Sequence, residues 1–185
     1  MTHASTRDQT VTDRPSWSAD EALDELYAAH WRSLVRLSVL LVRDAGTAEE
    51  VVQDAFVAMH GRWSRLREPD KALAYLRQSV VNGSRSVLRH RGVVARHASS
   101  QLQAGSRAGG DEAAEALARR DAVLEALRAL PERQREVLTL RYYLDLPESE
   151  IAEALGISRG AVKSHASRGS ATLRDLLADH LTGDL

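Results

Sequence analysis

The chain has 185 residues, no cysteine and a formal net charge of -1. Without cysteine there is no disulfide framework, thiolate zinc site or cysteine nucleophile, and no stretch approaches the ~20 apolar residues of a membrane span. The amino-terminal stretch MTHASTRDQTVTDRPSWSAD is polar and lacks the apolar core of a signal peptide, which points to a cytoplasmic protein without membrane insertion.

Residues 1–20 carry no apolar repeat and are expected to be a disordered tail. A first helical domain is expected over residues 21–91, opening on LDELYAAHWRSLVRLSVLLV. The second helix, TAEEVVQDAFVAMHGRW, begins where Thr47 and Glu50 have the spacing of a capping box. In that phase Val51, Val52, Ala55, Phe56 and Met59 form a core side. Glu50, Gln53 and Asp54 group opposite, with Val57 stranded among them. Such a face is either plain solvent surface or a contact patch for a basic partner.

A short break over residues 64–71 is basic at Arg65 and Arg67, with Trp63 beside it as a candidate stacking platform for an unstacked base. The third helix, ALAYLRQSVVNGSRSVLRHR, places Asn82, Arg85, Ser86 and Arg89 at helical spacing. A basic row with an amide can follow a phosphate backbone and hydrogen-bond a base. Gly83 inside this helix costs about 1 kcal/mol relative to Ala, and its sequence neighbours do not account for it.

Residues 92–116, rich in Ser, Gly and Ala, read as a flexible linker. Helical pattern resumes through VLEALRAL, breaks at Pro131 and restarts as ERQREVLTLRYYL. The segment over 147–174, PESEIAEALGISRGAVKSHASRGSATLR, describes two helices joined by a tight turn at Gly156, a helix-turn-helix within a second domain over 117–180. Ser158 stands at the N-cap of its second helix. Ala161, Val162, His165 and Gly169 share one side of that helix. Arg159, Gly160, Lys163, Ser164 and Ser167 share the other, with Arg168 at the edge. A small, basic outer face suits a helix entering a DNA major groove. Strand signals are absent, so the expected fold is all-α, two small helical domains joined by the linker.

The near-neutral net charge conceals segregation. Residues 21–61 hold three basic against seven acidic residues, and residues 62–97 nine basic against two acidic. The pattern repeats, with four basic and eight acidic over 121–155, then four basic and none acidic over 156–174. Each half therefore offers nucleic acid a basic surface and a protein an acidic one. None of the seven histidines makes a close ligand pair, so no metal or cofactor is expected. Glu49, Glu50 and Asp54 lack a supporting His, metal ligand or phosphate loop, so no catalytic residues are assigned.

In combination these segments resemble an extracytoplasmic-function (ECF, group 4) sigma factor of the sigma-70 family, of the actinobacterial SigE-like type. AEEVVQDAFVAM is similar to the family's polymerase-binding helix, AYLRQSVVNGSRSVLRHR to its helix for the -10 element, and LRALPERQREVLTLRYYLDLPESEIAEALGISRGAVKSHASRG to its domain for the -35 element. The resemblance implies a cytoplasmic protein, not an enzyme, that directs promoter-specific initiation. Glu50, Gln53, Asp54 and Val57 would meet core RNA polymerase at the beta-prime clamp, with the beta flap as a second polymerase contact. Trp63, Arg65, Arg67, Asn82, Arg85 and Arg89 would serve the -10 element. Ser158, Arg159, Gly160, Lys163, Ser164, Ser167 and Arg168 would serve the -35 element. Partners would be core polymerase, promoter DNA and an anti-sigma factor. The rival reading is a two-domain helix-turn-helix repressor or response regulator.

Overall fold

A computed structural model of the chain describes residues 19–66, 68–97 and 112–182. These residues form seven α-helices and no strand: α1 (Ala19–Val42), α2 (Ala45–His60), α3 (Ala72–His97), α4 (Glu112–Ala129), α5 (Glu132–Tyr142), α6 (Glu148–Leu155) and α7 (Arg159–Thr182). Two single 3-10 turns, Trp63–Arg65 and Pro69–Lys71, fill the break between α2 and α3. Of the range expected as linker, 92–97 continue α3 and 112–116 begin α4, while 98–111 lie outside the described residues. The expected disordered tail lies outside them too, apart from the start of α1.

The first half is a three-helix unit. Leu34, Leu37 and Leu41 of α1, Val52 of α2 and Leu76, Val80 and Val81 of α3 are almost wholly buried. Each such side chain contributes about 1.5–3 kcal/mol through lost apolar hydration. The apolar phase read for α2 holds, since Val51, Val52, Ala55, Phe56 and Met59 are all buried. Its cap differs from expectation. Asp44 is the N-cap, accepting the Thr47 N–H at 2.8 Å, and the Thr47 hydroxyl also hydrogen-bonds the same carboxylate. Thr47 and Glu50 do not form the capping box, because the ionised Asp44 is the stronger acceptor at the positive end of the helix. Arg91 of α3 then ties the corner together, donating to the Val42 carbonyl at 3.0 Å and to Thr47 Oγ1 at 2.6 Å.

Gly83 now has a reason. A Cβ there would stand 2.9 Å from Val51 Cγ1, so α2 and α3 approach more closely than any side chain allows. At the next position of α3, the buried Ser84 hydroxyl pairs with that of Ser38 at 3.1 Å, and the two satisfy each other between α1 and α3.

In the second half, Pro131 ends the run of α4 and precedes α5, whose Val137, Leu138 and Leu140 are buried. Ile151 and Leu155 of α6 and Val162 and Ala166 of α7 close around them. Gly169 of α7 lets α5 come close, for a Cβ there would be 3.1 Å from both Gln134 Cβ and Leu138 Cδ1. The halves also touch: α1 packs on α4 and α5, and α3 on α6.

Candidate nucleic-acid and polymerase interfaces

The helix-turn-helix is built as its sequence requires. Gly156 adopts φ 63° and ψ 39°, the left-handed conformation that ends α6, and the Ile157 N–H returns to the Ala152 carbonyl at 3.0 Å. Ser158 Oγ accepts the Ala161 N–H at 3.1 Å and starts α7. From that start Val162, Ala166 and Gly169 turn inward, His165 and Ala161 are half-buried, and Arg159, Gly160, Lys163, Ser167 and Arg168 are exposed. Ser164 is half-buried and accepts a hydrogen bond from Arg168. Lys163 Nζ stands 3.9 Å from Glu148 Oε2, and Arg141 holds the other oxygen of that carboxylate at 2.9 Å. The outer face therefore presents Arg159 and Lys163 over a rim of small residues.

A second basic surface surrounds the α2–α3 break. A cleft of about 390 Å³ is lined by Met59, Arg62, Arg65, Leu66, Tyr75, Gln78 and Ser79. Its mixture of apolar floor, one aromatic, an amide and two guanidinium groups suits an unstacked base with its phosphate. Trp63 does not line it. Half-buried, its ring packs against the core, because the 3-10 turn folds it back over the end of α2, and the aromatic of the cleft is Tyr75. The sequence reading assigned none of Arg62, Tyr75, Gln78 and Ser79 to a site: the three on α3 share one side by helical spacing, but only the packing of α3 beside α2 brings that side to the break. Arg67 lies outside the described residues.

Along α3, Asn82 and Arg89 are exposed. Arg85 departs from expectation. Its guanidinium grips the carboxylate of Glu136 on α5, with Nη2 to Oε2 at 2.7 Å and Nε to Oε1 completing the fork, and Nη1 donates to Asn82 Oδ1 at 3.1 Å. The Arg85 side chain is only 14% exposed and Glu136 only 2%. A bidentate carboxylate satisfies the guanidinium fork, so in this arrangement Arg85 is not offered to solvent.

The third surface is the outer face of α2. Glu50, Gln53 and Asp54 are exposed, and Val57, at 66% exposed, stands among them as an aliphatic residue in an acidic setting. Among the described residues no group of three or more His, Asp or Glu is placed to hold a metal ion. None of the described helices is long and apolar enough to cross a membrane.

Comparison with known proteins gives two family matches, sigma-70 region 2 over residues 26–94 and sigma-70 region 4 over residues 120–173. The chain is 33% identical over 145 residues to the RNA polymerase sigma-E factor of Streptomyces coelicolor, spanning 78% of this chain and 80% of that one. It is 30% identical over 166 residues to the ECF RNA polymerase sigma factor SigM of Mycobacterium tuberculosis, spanning 88% and 80%. Among solved structures, CnrH bound to the cytosolic domain of CnrY aligns with a TM-score of 0.64 at 26% identity, over 86% of this chain and 94% of that one. The sigma factor RpoE of Bartonella quintana, solved with the anti-sigma factor NepR, shares the fold with a TM-score of 0.66 at 21% identity, over 84% and 96%.

Proposed function

The chain belongs to the extracytoplasmic-function sigma factors of the sigma-70 family, and from that premise we propose how its surfaces divide the work of promoter recognition. A sigma factor is not an enzyme; polymerase carries out the chemistry, and the sigma subunit supplies binding and specificity. The outer face of α2, with Glu50, Gln53, Asp54 and Val57, docks on the beta-prime clamp of core polymerase. The outer side of α7, with its cap Ser158 and with Arg159, Gly160, Lys163, Ser164, Ser167 and Arg168, enters the major groove of the -35 element while the second half rests on the beta flap. The cleft beside Arg62, Arg65 and Tyr75 receives a base of the -10 element as single strand, with Asn82 and Arg89 following its backbone. Trp63 braces that cleft from the core side.

The observation that supports this reading is that one chain holds both region matches, with Asn82 and Arg89 exposed in the first and Arg159, Lys163 and Arg168 exposed in the second. The identity to the Streptomyces coelicolor factor supports a SigE-like grouping. The complexes of CnrH with CnrY and of RpoE with NepR support an anti-sigma partner for this chain as well.

The test is separation of the surfaces. Gln53→Ala with Asp54→Ala is expected to abolish co-elution with core polymerase while the far-UV spectrum stays that of the wild type. A folded double variant that still co-elutes at wild-type strength overturns the clamp assignment.

A further inference from the structure

We propose, on the reading of α7 as the helix that enters the -35 element, that Glu148 is a specificity-setting residue of that helix-turn-helix: its carboxylate, fixed on the backbone side of Lys163, turns the Lys163 ammonium away from phosphate and toward a base edge.

A line of charge crosses three helices of the second half. Arg141, in the last turn of α5, donates from Nη2 to Glu148 Oε1 at 2.9 Å. The other oxygen of that carboxylate, on the first residue of α6, faces Lys163 Nζ of α7 at 3.9 Å. The Glu148 side chain is only 21% exposed, whereas that of Lys163 is mostly in solvent. The acid is therefore the fixed member of the pair and the ammonium the mobile one.

The place of the pair gives the fixed charge its direction. In a helix-turn-helix the first helix crosses the DNA backbone while the second lies in the groove. Glu148 opens the first helix and Lys163 stands at the start of the second turn of the other, so the carboxylate lies on the side from which the backbone approaches. A helix amino terminus ordinarily welcomes a phosphate, and Pro147 gives that of α6 no side-chain cap. Glu148 and Glu150 put negative charge there instead. Glu150 is turned to Arg77 at 3.1 Å, which leaves Glu148 as the acid facing Lys163.

Lysine is the residue for which such a bias matters. Its ammonium is a point charge on a flexible four-carbon stem, able to take a phosphate or the acceptors of a guanine edge. A phosphate contact adds affinity on every sequence, and a base contact adds it on one. A carboxylate held beside the backbone repels phosphate oxygens and leaves the base edge as the better partner. The pair is too weak to keep Lys163 out of the groove, so Glu148 acts on its choice of partner rather than on its access.

The experiment uses the full chain in complex with bacterial core polymerase, binding a library of duplex promoters randomised over the -35 element. The base pair read by Lys163 is the one whose preference Lys163→Ala removes. Glu148→Gln keeps an oxygen for Arg141 and loses the charge. It should lower the preference at that pair by about fivefold, the upper end of what a surface ion pair supplies. It should also steepen the fall of log affinity with log salt by about 0.9, the effect of one added phosphate contact. With Lys163→Ala already present, Glu148→Gln should change neither quantity. Unchanged preference and slope in Glu148→Gln alone overturn the proposal. Changes that persist without Lys163 overturn it as well, since they would trace to a loosened α5–α6 corner or to plain repulsion of DNA. A Lys163→Ala variant that loses preference at no base pair overturns it while leaving Arg159 as a reader. A wild-type chain that forms no such complex, or whose complex has no preference anywhere in the -35 element, overturns the reading of α7 and the proposal with it.

Discussion

At the scale of single residues, charge and cap geometry decide what is available for recognition. The Lys163 ammonium is 67% exposed and 3.9 Å from Glu148, a surface pair of the kind that contributes ~0–1 kcal/mol. Glu148 therefore does not withhold Lys163 from DNA, and its own anchoring by Arg141 leaves it in place when Lys163 leaves. Arg159→Ala with Lys163→Ala should keep polymerase binding and cost about 1–3 kcal/mol of discrimination for each lost base contact, read as relaxed preference across a library of -35 sequences. Equal loss on every sequence would reduce both residues to phosphate contacts. Asp44 offers a pH test. The Thr47 hydrogen bonds, aided by Arg91, hold its carboxyl below the ordinary range. With the folded value depressed, its stabilising effect is fully present above the ordinary aspartate value of about 3.9 and is lost as pH falls through the folded value. Asp44→Asn keeps a capping acceptor but has no proton to gain. Its melting temperature should fall less than that of the wild type on acidification through that window; parallel curves would remove Asp44 from the acid response.

At the scale of elements, helix phase was legible and helix contact was not. The exposed set on α2 and the inward set on α7 follow from a 3.6-residue period, which any local stretch displays. The Gly156 turn and the Ser158 cap were legible for the same reason, since both are made within a few residues. Gly83 was not, because the obstacle is Val51 on another helix. The cap of α2 was misplaced by three residues: Thr47 has the right spacing to Glu50, but Asp44 precedes it and outcompetes it. Gly83→Ala gains helix propensity of about 1 kcal/mol and meets Val51 at a distance no relaxed Cβ contact shows, so overpacking should win by about 1–2 kcal/mol in urea unfolding. In a Val51→Ala background the same change should become neutral or stabilising. A Gly83→Ala cost that persists unaltered in that background would place its origin elsewhere in α3.

At the scale of the whole molecule, the charge segregation read from the sequence acquires a second use. The basic and acidic blocks suggested DNA on one side and protein on the other, yet the folded chain also sets the acidic block of one half against the basic block of the other. Arg85 and Glu136 are 51 positions apart, and no periodicity links them. The base-sized cleft was half legible: the basic break announced it, while Tyr75, Gln78 and Ser79 joined it only when α3 packed beside α2. The family, the all-α fold and the recognition helix were read from motifs whose geometry is local. What escaped was the pairing of one half with the other, which depends on tertiary placement.

The measurement that tests the central claim most directly is gel filtration of the chain with bacterial core RNA polymerase, followed by transcription from a mixed promoter library with the complex that elutes. The account predicts co-elution and new start sites that share one upstream sequence. No association with core polymerase, together with tight duplex binding by the chain alone, would contradict it and return the helix-turn-helix to an ordinary regulator.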